Sequence, residues 1–182
     1  MEKIISLFQR NYDGDRLVRD EVVPGTVWVI RGEGIATRKY DGTACMARDG
    51  KLYKRYDCKK GKVPPKGFEA CGNPDPVTGH WPGWILVGDG PEDQYHREAR
   101  ADGALPDDTY ELCGPKVQGN PEHFDTHVLV RHGYFIYGDA PRTFDALKHW
   151  FKGKDIEGLV WHHPDGRMVK IKKRDFGLKR ED

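Results

Sequence analysis

The chain has 182 residues, enough for one domain that buries about two-thirds of its unfolded surface. Its 30 Lys and Arg nearly balance 29 Asp and Glu, and a net charge of +1 excludes a protein whose global field attracts nucleic acid. The four cysteines show no Cys-x-x-Cys or Cys/His zinc spacing, and no apolar run reaches membrane-spanning length, so reduced thiols and a soluble, cytoplasmic protein are expected.

The N-terminal stretch MEKIISLFQR lacks the apolar length and the small-residue cleavage site of a signal peptide, and its pattern predicts a helix over 2–10. TVWVI (26–30) and GIATRKY (34–40) predict strands on either side of a Gly-Glu-Gly turn. TACMA (43–47) and KLYKRYD (51–57) flank Asp49-Gly50, a strong hairpin signal. A two-residue turn there pairs Arg48 with Lys51, Cys45 with Lys54 and Ala44 with Arg55.

Residues 58–90 hold five of the chain's 12 prolines and show no periodicity. They are read as a Pro/Gly-rich insertion ordered in part by its own packing, with Trp81 and Trp84 either stacking on a base or pinning the loop to the core. A helix is predicted over 91–101, strands over 109–113, 127–130 and 134–137, and a helix over 143–153 that opens on Thr143 and stops at Gly153. Strands at 157–163 and 168–173 complete the pattern. The expectation is a single α+β domain, residues 1–182, built on antiparallel sheet.

Charge is segregated along the chain. Residues 51–66 carry seven Lys or Arg against Asp57 alone, and residues 167–182 carry seven against three acidic residues. These segments would track a nucleic-acid backbone, or form separate solvated surfaces.

Two local constellations carry chemistry. In TRKYDGTA, Lys39 stands two residues before Asp41-Gly42, read as a turn in which glycine supplies positive φ. Lys39 is then either a solvated lysine or an amine held rigidly at a turn. In EGLVWHHPDGRMVKIKK, a turn centred on Pro164-Asp165 pairs His163 with Gly166, Leu159 with Lys170 and Glu157 with Lys172. That register puts Glu157, Lys170 and Lys172 on one face and Val160, Val169 and Ile171 on the other. One carboxylate and two ammoniums suit a metal-bound polyphosphate, while the plain alternative is the wet face of an amphipathic strand.

Read together, these pieces resemble the covalent nucleotidyltransferase superfamily, which comprises ATP-dependent RNA and DNA ligases and the mRNA capping guanylyltransferases. Lys39-Tyr40-Asp41-Gly42 resembles the motif whose lysine attacks the α-phosphate. Arg55 in YKRYD resembles a nucleotide-contacting arginine, and Glu111 in YELCG the glutamate that reads the ribose. Glu157 in EGLV, and Lys170 and Lys172 in VKIKK, resemble the last two motifs, in the family's order over residues 39–172. KLYKRYDCKKGKVPPKGF and MVKIKKRDFG are similar to small RNA ligases of the vertebrate 5′-to-3′ type.

The resemblance implies an antiparallel-sheet adenylation domain; the short stretch after the last motif departs from the family, and no OB-fold of the DNA-ligase and capping-enzyme kind is expected. It implies a lysyl-AMP intermediate on Lys39, with Lys170 and Lys172 also catalytic. Arg55, Glu111, Glu157, Lys170 and Lys172 would bind the nucleotide, and Glu157 would serve the metal. ATP and Mg²⁺ are the implied cofactors, with Mn²⁺ as an alternative ion. The implied partner is RNA with 5′-phosphate and 3′-hydroxyl ends. The aromatic that stacks on adenine is unassigned among Tyr134, Phe135 and Tyr137. Competing readings are a capping-type guanylyltransferase or other AMP transferase, and a non-catalytic nucleotide- or RNA-binding module.

Overall fold

The structure is a computed structural model that describes residues 3–100 and 103–182. Along the chain it forms β1 (Ile5–Ser6), β2 (Phe8–Arg10), β3 (Val18–Val22), α1 (Val27–Ile30), β4 (Ile35–Lys39), β5 (Thr43–Arg48), β6 (Lys51–Cys58) and β7 (Glu69–Ala70). Then come β8 (Trp81–Leu86), α2 (Gln94–Arg100), β9 (Asp108–Cys113), β10 (Val128–Arg131), α3 (Phe144–Phe151), β11 (Gly158–His162) and β12 (Met168–Lys172). Strand pairing is antiparallel except between β1 and β12, which agrees with the α+β expectation. Among the described residues no helix is long and apolar enough to cross a membrane, and Cys45, Cys58, Cys71 and Cys113 are free thiols.

The described chain makes two compact units. The first holds residues 41–132 with Lys3, and the second residues 4–40 and 133–182. In the first, a six-stranded sheet runs in the order β10-β9-β5-β6-β8-β7. One face buries Cys45, Ala47, Leu52, Tyr110 and Leu112, with Tyr95 and Ala99 of α2 packed against them. In the second, a four-stranded sheet runs β1-β12-β11-β4. Its inner face sets Ala36, Leu159, Trp161, Val169 and Ile171 against Leu147 and Phe151 of α3. That helix opens after Thr143 and the chain turns at Gly153 with φ +71°, as predicted.

Several expectations are corrected. The helix expected over 2–10 is two short strands; Glu2 lies outside the described residues. A lone helix of that length is marginal in water, whereas extended backbone here pairs with β12 and β3 and buries Leu7 and Phe8. TVWVI is a single helical turn, not a strand. Thr26 Oγ1 donates to Val23 O (2.8 Å), and the turn buries Trp28 and Val29 while Val27 stays exposed, so packing overrides β-branched propensity. YFIY (134–137) makes one isolated bridge, Ile136 to Thr37, and Tyr134, Phe135 and Ile136 are exposed. The helix expected over 91–101 is a 3-10 turn followed by α2, with Ala101 outside the described residues.

Residues 58–90 are more ordered than their prolines imply, since β8 pairs with β6 from Tyr53↔Leu86 to Cys58↔Trp81. Trp84 is buried and Trp81 Nε1 donates to Gly72 O (2.7 Å), so both tryptophans pin this segment. The second hairpin is one residue out of the predicted register. Gly158 pairs with Lys172, Leu159 with Ile171 and Val160 with Lys170. The His163 N–H donates to Arg167 O, leaving a three-residue loop whose Gly166 has φ +93°. Glycine at that position lets the loop close with an extra residue. Val160 therefore lies on the lysine face, not the core face.

Candidate active site

In the four-stranded unit, cross-strand pairing assembles two polar rows on the face opposite the core. Neighbours in register share a face, so Gly158 brings Lys39 of β4 and Lys172 of β12 to either side of itself. A side chain at 158 would run into Ile171 O and the Lys172 backbone, so only glycine allows this approach. The Lys39 Nζ donates to Glu157 Oε2 (2.5 Å), and the Lys172 Nζ pairs with Glu157 Oε1 (2.6 Å). One buried carboxylate thus binds an ammonium on each oxygen. Burial pushes the Glu157 pKa up, but Lys39 and Lys172 outweigh it and hold the group below the ordinary glutamate value.

The adjacent row is Ser6, Lys170, Val160 and Thr37. Burial, then the charges of Lys172 and Lys39, push the Lys170 pKa down to about 8. The Ser6 hydroxyl oxygen is buried without a hydrogen-bond partner among the described residues. Thr37 is already engaged, because its Oγ1 donates to Val160 O (3.1 Å) and His162 Nε2 lies 3.1 Å away.

Gly42, after the lysine, does not owe its identity to a positive φ. A side chain there would meet Leu112 O, Cys113 Sγ and Glu111 Cγ, so glycine serves close approach to β9. The Asp41 N–H donates to Glu122 Oε1 (2.9 Å), an anchor that the sequence did not reveal.

In the six-stranded unit, the face away from the α2-covered core carries Arg55 and Glu111. Glu111 pairs with Ala44, and the register of β5 with β6 ends at Cys45↔Lys54, so the next step along it sets Arg55 beside Ala44. Small Ala44 thus separates Arg55 and Glu111 in one row, two strand spacings or about 10 Å apart. The Arg55 guanidinium lies over the Trp84 ring, 5.3 Å from its centroid, and donates to Cys71 Sγ (3.3 Å). Glu111 is 8% exposed and its Oε2 lies 2.8 Å from His132 Nε2.

Among the described residues no group of three or more His, Cys, Asp and Glu could hold a metal ion. Glu157, next to Gly158, is the carboxylate that pairs with lysines of these rows. That fits magnesium, which takes one or two carboxylates plus phosphate oxygens and keeps several waters. Among the adenine-stacking candidates, Tyr137 packs edge-on against Trp150 (5.2 Å between centroids), while Tyr134 and Phe135 are exposed.

Comparison with known proteins gives a consistent direction. Residues 98–182 match the family model for RNA ligase 1. The chain is 38% identical over 85 residues to RNA ligase 1 of Danio rerio, covering 41% of this chain and 26% of that protein. It is 31% identical over 157 residues to RNA ligase 1 of Pongo abelii, covering 64% and 47%. It is 27% identical to RNA ligase 1 of Mus musculus, covering 79% of this chain and 67% of that one. The likeness is to RNA ligases. The chain spans between a quarter and two-thirds of the length of these relatives.

Proposed function

We propose that the chain is an ATP-dependent RNA ligase that joins 5′-phosphate and 3′-hydroxyl RNA ends through a lysyl-AMP intermediate on Lys39. The observation that supports it most is the imbalance of the two rows: Glu157 pairs with Lys39 and Lys172, while among the described residues Lys170 makes no ion pair and the Ser6 hydroxyl beside it has no hydrogen-bond partner. The buried Ser6 hydroxyl lacks a partner, and a phosphate would satisfy it together with the ammonium of Lys170 beside it. The match to RNA ligase 1 proteins supplies the substrate class.

In this reading the Lys39 Nζ attacks the α-phosphorus of ATP, an N–P bond forms, and the bond to the pyrophosphate oxygen breaks. Lysine attacks only as the neutral amine, and the proton it sheds has Glu157 Oε2 within 2.5 Å. Lys170 and Lys172 neutralise charge on the α-phosphate as it develops. Arg55 and Glu111 bind the nucleotide, Glu111 through the ribose. Magnesium, or manganese in its place, would neutralise the phosphates further, with Glu157 holding it through water. AMP then passes to an RNA 5′-phosphate, and a 3′-hydroxyl displaces AMP to form the phosphodiester. The whole chain, residues 1–182, is read as one nucleotidyltransferase domain, and the cytoplasm as the place where it acts.

Intact-mass spectrometry after pyrophosphate stripping and incubation with ATP and magnesium tests the first step. A gain of one AMP on the wild type, absent in Lys39→Ala and reversed by pyrophosphate, is expected. A GMP adduct in its place would turn the reading to a guanylyltransferase, and no adduct with either nucleotide would sink it. Joining of a 5′-phosphorylated RNA to a 3′-hydroxyl end by the same preparation tests the rest.

A further inference from the structure

One histidine beside the ribose-reading carboxylate has no part in the chemistry above. The β9–β10 register sets Val130 opposite Glu111 and Arg131 opposite Tyr110, and His132 follows with its backbone N–H donating to Thr109 O (3.1 Å). Its ring is held at both nitrogens. Nε2 lies 2.8 Å from Glu111 Oε2, and Nδ1 lies 2.9 Å from Thr109 Oγ1. A carboxylate only accepts, so Nε2 carries the proton, and in the neutral ring Nδ1 accepts from the Thr109 hydroxyl. The chain Thr109–His132–Glu111 thus fixes one oxygen of a carboxylate that is 8% exposed. Among the described residues no donor is found on the other oxygen, Oε1.

We propose that His132 is a positioning residue that orients Glu111 so that Oε1 accepts a ribose hydroxyl, and that this arrangement makes the site select ribonucleotides over 2′-deoxyribonucleotides. The inference rests on the assignment of Glu111 to the ribose. The carboxylate ends a flexible side chain, and a fixed Nε2–H removes the rotation that would let Oε1 drift from a bound hydroxyl. With Oε2 satisfied, Oε1 is the acceptor left to water in the free protein and to the ligand when one is bound. A bound nucleotide without the 2′-hydroxyl covers that oxygen and leaves it unpaired, which is the physical source of discrimination. Thr109 completes the device by holding the ring plane from its far side.

Calorimetric titration of the full chain with α,β-methylene-ATP and its 2′-deoxy form tests this, because neither analogue can be cleaved to lysyl-AMP. The wild type is expected to prefer the ribo form. That preference should fall by about tenfold in Glu111→Ala and His132→Ala, the cost of a lost hydrogen bond to a buried charged group. His132→Gln, whose amide can donate to Glu111 from the same side, should restore most of it, and Thr109→Val should give an intermediate loss. A His132→Ala variant that binds both analogues more weakly with the ratio intact would overturn the proposal and reduce His132 to a structural role. An intact ratio in Glu111→Ala would overturn the ribose assignment itself, which separates that failure from this one. Should His132→Ala unfold, the ratios of His132→Gln and Thr109→Val decide: both equal to the wild-type ratio would overturn the inference.

Discussion

At the scale of single residues, the lysine rows divide into paired and unpaired charge, and the two behave differently with pH. Glu157 holds Lys39 and Lys172, and its pKa is lowered in the fold. A depressed carboxyl pKa contributes stability that is present above the unfolded value and lost as pH falls through the folded one. Acid unfolding of the wild type should therefore steepen below about pH 4.5, near the ordinary glutamate value. Glu157→Gln should lack that component and lose about 2 kcal/mol at neutral pH in urea unfolding, because two ammoniums lose their shared partner. Lys170 runs the other way. With its pKa pushed down to about 8, it is charged below that pH and neutral above it. Its buried charge costs stability below pH 8, and the cost is relieved as pH rises toward the unfolded value of 10.5. If its charge serves the α-phosphate, the adenylation rate should fall above about pH 8, and Lys170→Arg should carry that limb to higher pH. A stopped-flow or quench pH profile with unchanged limbs in Lys170→Arg would remove Lys170 from the phosphate.

At the scale of elements, two glycines of the β11–β12 hairpin make separable predictions. Gly166 has φ +93° with open space where a methyl would stand, so Gly166→Ala should cost about 1 kcal/mol of backbone strain and leave adenylation intact. At Gly158 the added methyl meets β12 backbone, so Gly158→Ala should cost about 3 kcal/mol and weaken the Lys39–Glu157–Lys172 cluster by prising its strands apart. Thermal unfolding beside AMP-adduct yield would check both. The same hairpin shows where sequence reading stops. Its strands were legible from MVKIKK and EGLVWHH, but the loop length depended on Gly166 entering the positive-φ region, and a one-residue slip moves Val160 to the lysine face. The Asp49-Gly50 hairpin was legible in full because a two-residue turn leaves no such freedom, and Arg48↔Lys51 and Cys45↔Lys54 pair as expected. Strand β8 was hidden by Pro82 and Gly83. That glycine exists because Phe68 and Glu69 O pack against it, a contact made across the insertion and invisible to local patterns. The His132–Glu111 contact was missed for a related reason: 21 residues separate partners that only the β9–β10 register brings together.

At the scale of the whole molecule, a net charge of +1 leaves no long-range pull on RNA, so any affinity must come from local segments. Within the six-stranded unit, Lys59, Lys62 and Lys66 are all exposed in the stretch between β6 and β7, and Val63 beside them is 90% exposed. Exposed lysines without a buried partner gain little for the fold, which makes them free to release counterions on a phosphate backbone. Replacing Lys59, Lys62 and Lys66 together by Ala should therefore leave urea unfolding within about 0.5 kcal/mol of wild type. For single-stranded RNA it should lower the slope of log affinity against log salt by about 2, or about 0.7 for each phosphate no longer neutralised. Formation of lysyl-AMP should be untouched in the same variant, because none of the three lysines belongs to the set proposed for that step, Lys39, Arg55, Glu111, Glu157, Lys170 and Lys172. If the salt slope is unchanged, the basic stretch is a solvated surface, and RNA must be held by groups elsewhere, with the exposed Arg167, Arg174 and Lys179 next to be replaced.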